Sequence, residues 1–247
     1  DIPLFLNAND LSLSGGGCMH EGPVATRMGL PGIPETAETI ALAQILLLVE
    51  QTGVRAHISQ ITCRRSVSML QQALENGLRV TADTPLANLL YTHEAVTGYD
   101  SLYNVQPPLR SERDREALVQ AVARGELAIS SNHSPHEIAA KKAPFSDAEP
   151  GMSQYDAFLP QAMTLVSREE LTVEQLVRAL SLTPANVLGL SQSLTEGADF
   201  NAVLYDPRGE YTLTASEIAS GGHNHPLLNR TVSGKVAQVF LEGCRIS

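Results

Sequence analysis

Tryptophan is absent from this chain and aromatic residues make up only 4%, so it has few of the flat side chains on which nucleic-acid bases stack. Basic residues are also scarce: 17 against 27 acidic ones, a net charge of -10. The only paired basic residues are Arg64-Arg65 and Lys141-Lys142. A nucleic-acid partner is therefore not expected. Long apolar runs are missing too. The longest, Ile40 to Val49 interrupted at Gln44, is too short to cross a bilayer, so no membrane partner is expected. The three cysteines, Cys18, Cys63 and Cys244, are odd in number and far apart. They suggest neither a disulfide framework nor a Cys-x-x-Cys metal knuckle, and a reducing cytoplasm is the expected compartment. No signal peptide is visible. The chain opens on Asp1 rather than Met, so we expect a natural start upstream.

What remains is ample for a folded core: 247 residues, 43% of them hydrophobic. Short apolar runs alternate with helical patterns. Ile2–Leu6 reads as a strand ending at Asn7. A helix opens at Pro34-Glu35 and stops at Gly53; being apolar nearly all round, it is expected to be well buried. Val54–Ile61, Leu78–Ala82 and Leu127–Ile129 read as further strands. Val67, Leu70 and Leu74 recur at helical spacing before Gly77, and Ser111 with Asp114 forms a capping box for a helix closed by Gly125. Helices follow around 156–166, 173–180 and 183–189. From Asn201 the pattern changes to four short strands: 202–205, 211–213, 232–236 and 239–241.

Strands alternating with helices imply a parallel sheet with crossover connections. Four such units are too few to close an eight-stranded barrel. The sheet is then either open or the second half of a (β/α)8 TIM barrel, and chemistry is expected where strands end. The residues to question are Asn7, Gln60, Asp83 and Asn132 with His133. The two histidines of Asn132-His133-Ser134-Pro135-His136 could bind a metal or an anion, or be ordinary loop residues. Zinc needs three or four N, S or carboxylate ligands, and the other strand ends offer amides. By strand alternation His57 should face away from Gln60, against the helix layer. Asp83 suits a helix-capping or loop-bonding role rather than catalysis, and Cys63 a buried small apolar filler rather than a reactive thiol. Ser14-Gly15-Gly16-Gly17 lacks the Gly-Lys-Ser/Thr of a phosphate loop. His223-Asn224-His225, beside Gly221-Gly222 and Pro226, fits a turn better than a metal pair.

The stretch Tyr103-Asn104-Val105-Gln106-Pro107-Pro108-Leu109-Arg110, with Asn132-His133-Ser134-Pro135-His136 after it, resembles the dihydroorotase family of the amidohydrolase superfamily. So do Glu21 to Ala25, Gly29 to Pro34, Thr183 to Leu190 and Gly197-Ala198-Asp199, in family order over almost the whole chain. The resemblance implies a (β/α)8 barrel of the metal-dependent hydrolase type with a small β domain. Residues 1–190 would form barrel strands five to eight and residues 191–247 a small β segment. The family's first-strand His-x-His pair and fourth-strand bridging ligand would lie upstream of Asp1.

Position by position, the resemblance puts amides where active members hold zinc. Asn7 matches the fifth-strand histidine and Gln60 the sixth-strand one, with His57 matching the family histidine that precedes it. Asn132 matches the eighth-strand Asp that serves as ligand and acid/base. The two histidines of the family's Thr-Pro-His-His-Leu run are absent from Thr84 to Leu89. Gln106 stands at a substrate-contacting Asn. His136 matches a substrate-holding histidine; its alternative is a loop residue capping a helix or bonding a backbone carbonyl. Gln106 and His136 would be relics of substrate binding. The family reaction, reversible hydrolysis of a cyclic amide, needs metal-bound hydroxide and a carboxylate to shuttle its proton. An asparagine cannot take that proton. No cofactor is expected here, and no catalytic residue.

Degenerate members of this family partner aspartate transcarbamoylase, so the first expectation is a non-catalytic protein of pyrimidine biosynthesis bound to that enzyme's catalytic chain. The alternatives are an active cyclic amidohydrolase with a rearranged or upstream metal site, and a metal-free small-molecule binding module. Half a barrel would expose two strand edges, so a homodimer or the chain's own missing N-terminal half is expected to cover them.

Overall fold

The computed structural model describes residues 2–190 and 194–246. Its centre is a four-stranded parallel sheet of β1 (Leu4–Asn7), β4 (Ala56–Ser59), β5 (Val80–Pro85) and β6 (Leu127–Ser130), in the order β1-β4-β5-β6. Register places Leu4 opposite Ala56, Ala56 opposite Val80 and Ala82 opposite Leu127. Helices α3 (Thr36–Thr52), α4 (Arg64–Glu75) and α6 (Glu112–Arg124) connect the strands and cover one face. This is an α/β fold in which the parallel sheet forms part of a TIM barrel.

The core follows from strand alternation. Ala56, Ile58, Val80, Ala82, Leu127 and Ile129 share one cluster with Leu42 and Leu46 of α3, Leu70 of α4, and Leu118 and Val122 of α6. The helix ends obey local rules. Gly53 and Gly125 close α3 and α6 in the left-handed conformation, and Ser111 with Asp114 forms the expected capping box.

Shorter elements fill the connections. After β1 come α1 (Leu11–Ser14), β2 (Met19–His20), α2 (Pro23–Met28) and β3 (Gly32–Ile33), with β2 and β3 paired in parallel. A Cβ on Gly32 would lie 2.6 Å from Glu21 Cα, which is why glycine stands there. Helix α5 (Leu86–Leu90) follows β5 directly. After β6, α7 (Phe158–Ser167) leads to α8 (Val173–Val177), which continues through a π turn at Arg178–Leu182 into α9 (Thr183–Leu188). Gly189 ends α9, and the expected division at residue 190 meets residues 191–193, which lie outside the described residues.

Four expectations need correction. Helix α3 is not buried all round: Ile40, Leu47 and Leu48 are 41%, 64% and 60% exposed. The third sheet strand begins at Val80 and runs on to Pro85. His57 faces the barrel interior rather than the helix layer, because its neighbours Ala56 and Ile58 take the helix face. Parity misled there because Gln60 lies past the strand end with φ 64°, which breaks the alternation. The tail is not four short strands but two long antiparallel ones, β7 (Ala202–Thr212) and β8 (Thr231–Leu241), with a short β9 (Cys244–Arg245). A register shift between Asp206 and Glu210 takes up Pro207 and Gly209 without ending β7.

Fully buried Leu118 anchors the cluster from α6. Leu118→Ala should lower unfolding free energy by about 2–5 kcal/mol, read from the urea midpoint at constant slope.

Candidate functional site

The strand ends carry a chain of carboxamides. Asn7 closes β1, Gln60 follows β4, Asn132 follows β6, and Gln106 sits on the segment leading to α6. Asn7 Nδ2 donates to Gln60 Oε1 at 2.7 Å, and Gln60 Nε2 donates to Asn132 Oδ1 at 2.6 Å. Asn132 Nδ2 then donates to the Gln106 carbonyl at 3.0 Å. Gln60 and Asn132 have φ of 64° and 45°, a region uncommon for residues other than glycine. The structure thus brings three of the expected positions together through side chains. Gln106 joins them through its backbone rather than through the side chain the sequence suggested.

These residues do not fit a metal ion. Gln60 commits its side-chain oxygen to Asn7 and Asn132 commits its own to Gln60, and what the two present besides are N–H donors. Among the described residues, no group of three or more His, Cys, Asp or Glu side chains is placed to hold one.

Beneath the amides lies a buried pair that sequence reasoning did not assemble. His57 Nε2 is 2.9 Å from Asp83 Oδ2, and His57 Nδ1 is 2.9 Å from Thr81 Oγ1. Asp83 Oδ1 accepts from the Gln60 backbone N–H at 3.1 Å and from Ser130 Oγ at 2.5 Å. Asp83 therefore bonds a loop, as expected, and in doing so fixes the Gln60 backbone. The only signal for it was long-range register, which aligns β4, β5 and β6.

A second buried network fixes the other side. Glu38 on α3 accepts from the backbone N–H groups of Thr62 and Cys63 at 3.0 and 3.2 Å, and from the Thr62 hydroxyl. Arg110 Nε donates to Thr62 Oγ1 at 3.1 Å, Nη1 donates to the Ile33 carbonyl and to His20 Nδ1, and Nη2 lies 3.6 Å from Glu38. Arg110 and Glu38 are 3% and 4% exposed. A cavity of about 120 Å³ opens above them, lined by Asn7, Asn9, Gln60 and Gln106 among others.

The histidines after β6 are occupied elsewhere. His133 Nδ1 accepts from the N–H groups of Gln154 and Tyr155, and its ring stacks on Tyr155 at 3.9 Å. Burial lowers its pKa. His136 Nε2 lies 3.2 Å from the Pro150 carbonyl, the loop-bonding geometry, and does not line the cavity. In His223-Asn224-His225 the middle residue ties the turn to the loop after β6. Asn224 Oδ1 accepts from His136 N at 2.7 Å, while Nδ2 donates to the carbonyls of Ser134 and Gly151. His225 is buried, with Nδ1 accepting from Leu227 N, which agrees with a turn. Lys141 and Asn104 pin the same long loop. Lys141 Nζ donates to the carbonyls of Asn104 and Glu149, and burial brings its pKa down to about 8.

Comparison with known proteins shows what this half barrel resembles. A family model described as dihydro-orotase-like matches residues 1–66. Dihydroorotase-like proteins of Pseudomonas aeruginosa and Pseudomonas putida are 47% and 46% identical over 245 residues, 98% of this chain. A dihydroorotase of a Thermoanaerobacter species is 36% identical over the same share. The chain spans 57–58% of the length of these relatives. Among solved structures, a D-hydantoinase from Bacillus sp. AR9 superposes with a TM-score of 0.80 at 20% identity, covering 98% of this chain and 56% of that one. The Saccharomyces cerevisiae dihydroorotase bound to 5-fluoroorotic acid gives 0.70 at 16%, covering 94% and 63%. The fold is that of an amidohydrolase barrel. Within that superfamily, this chain belongs to the dihydroorotase family.

Asn132→Asp should lower stability by about 1–3 kcal/mol without restoring a metal site, because a carboxylate oxygen would then face the Gln106 carbonyl unpaired. Urea denaturation beside a metal analysis checks both parts. The pH response follows from His20 and His225. Burial, helped at His20 by the Arg110 charge, brings both down to about 4. The folded state therefore resists their protonation while the unfolded chain accepts it near pH 6.5. Their contribution is intact above pH 6.5 and is lost progressively as pH falls towards 4. The urea midpoint should be lower at pH 5 than at pH 7. His20→Gln, whose amide oxygen can still accept from Arg110, should flatten part of that fall.

Proposed function

We propose that this chain is a non-catalytic dihydroorotase-like protein of pyrimidine biosynthesis, a cytoplasmic structural partner of the aspartate transcarbamoylase catalytic chain. Residues 1–190 supply the second half of its barrel and residues 191–247 a small β segment. The observation that carries the reading is the hydrogen-bonded amide chain Asn7–Gln60–Asn132. Hydrolysing a cyclic amide means adding hydroxide to the ring carbonyl, breaking its C–N bond and delivering a proton to the leaving nitrogen. In active relatives, by the resemblance, zinc supplies the hydroxide and an aspartate moves the proton. Asn132 can do neither, and Asn7 and Gln60 carry no charge to hold the ion. Cys18, Cys63 and Cys244 are all free thiols, which suits a reducing compartment. Among the described residues no helix is long and apolar enough to cross a membrane.

The strand edges at β1 and β6, with Leu4 and Phe5 50% and 54% exposed, suit cover by an upstream half barrel. The cavity of about 120 Å³ favours a second reading, a metal-free pocket for a small polar molecule. A rise in melting temperature on adding dihydroorotate or carbamoyl aspartate to metal-free protein would mark it.

Elemental analysis and a dihydroorotate hydrolysis assay of the full-length protein test the main reading. Far less than one zinc per chain, no turnover, and co-elution with the transcarbamoylase catalytic chain are expected. Stoichiometric zinc with turnover would establish the active amidohydrolase instead.

A further inference from the structure

Two charged side chains line the strand-end cavity, Glu38 and Arg110, and they are not equally satisfied. Glu38 Oε1 accepts the backbone N–H groups of Thr62 and Cys63, and Oε2 accepts the Thr62 hydroxyl. Those groups stand at the N-terminal end of α4, which has no acidic residue in its first turn. Glu38 is therefore the anion that answers the positive end of that helix. Its charge is spent largely there.

Arg110 is left with a surplus. Nε donates to Thr62, and Nη1 donates to the Ile33 carbonyl and to His20 Nδ1. Those bonds use every N–H on the two nitrogens. Nη2 carries the remaining N–H groups and has no hydrogen bond among the described residues, because Glu38 at 3.6 Å is too far for one. An unfilled donor is costly on a side chain only 3% exposed. With Nε and Nη1 turned to protein, the Nη2 edge is what Arg110 offers the cavity.

The remaining lining suits a small acid. Asn9 adds a carboxamide with no side-chain hydrogen bond among the described residues. Ala8, Ile33, Pro107 and Pro108 form an apolar wall, and the volume of about 120 Å³ limits the occupant to a few heavy atoms. We propose that this cavity is a subsite for a small, singly charged carboxylate, whose oxygens accept from Arg110 Nη2 and the Asn9 amide while its short apolar part rests on the prolines. A guanidinium N–H to a carboxylate is among the stronger hydrogen bonds, and arginine suits that planar group. Glu38 stands close enough to repel a second negative charge, so a dianion fits worse. The proposal rests on the reading of the cavity as a metal-free pocket and adds the ligand's charge and the atoms that recognise it.

Thermal unfolding of the full-length, metal-free protein at pH 7 tests it. Acetate is the probe, acetamide its uncharged isostere and inorganic phosphate the competing oxyanion, all at matched ionic strength. Acetate should raise Tm saturably, with half the effect at about 1 mM, a range open to so small a ligand. Acetamide and phosphate should each bind about tenfold more weakly or not at all. Arg110→Gln would also strip the bonds to Thr62, Ile33 and His20, so Asn9→Glu is the cleaner variant. It tethers a carboxylate in the same cavity. It should abolish the acetate response and raise Tm of the ligand-free protein, whereas damage to the fold would lower it. An acetamide response equal to that of acetate, or a phosphate response as strong, would overturn the assignment. So would a full acetate response in the Asn9→Glu variant. If acetate has no effect while carbamoyl aspartate still raises Tm, the pocket stands and the Arg110 subsite falls. If neither acts, both fall.

Discussion

A single buried carboxylate organises the mouth of this half barrel. Asp83 gathers the His57 ring from β4, the Ser130 hydroxyl from β6 and the Gln60 backbone from the turn after β4. Three strands that are distant in sequence thereby share one anion. With its backbone held, Gln60 remains in its left-handed turn, and from there its side chain reaches Asn7 on one side and Asn132 on the other. The amide chain is thus an upper layer resting on a charged lower one. With amides at the strand ends, it is this lower layer that holds those ends in place.

The two layers differ in kind. The lower one contains charged or ionisable partners, His57 with Asp83 and Arg110 with Glu38, all buried and bonded. The upper one contains neutral groups satisfied mostly by one another. An isolated buried charge would be costly, but an amide that both donates and accepts can replace a ligand without creating one. The barrel mouth can therefore keep its form without a cation to balance it.

Local chemistry made part of this legible from sequence. Gly53 and Gly125 announced helix ends, and Ser111 with Asp114 announced a helix start. Apolar runs located the four sheet strands, and the ordered resemblance brought Asn7, Gln60 and Asn132 to notice together. What stayed hidden depended on tertiary register. The inward face of His57 could not be read by parity once Gln60 left the strand conformation. Arg110 and Glu38 are 72 positions apart in the chain and meet only because Thr62 lies between them. The tail looked like four pieces because Pro207 and Gly209 resemble terminators, whereas an irregular pairing carries β7 past them. The apolar outer stripe of α3 looked like core because composition cannot say on which side a helix meets its sheet.

Asn224 has a wider effect than its place in a turn suggests. Its one side chain holds the main chain at Ser134, His136 and Gly151, and its own carbonyl accepts from Ser153. The segment following β6 and the hairpin tail are therefore latched together at a buried point, much as a zip is held by its slider. Loosening either one would release the other. The two should open as one cooperative unit, with amide protons on both sides of the latch exchanging at a common rate.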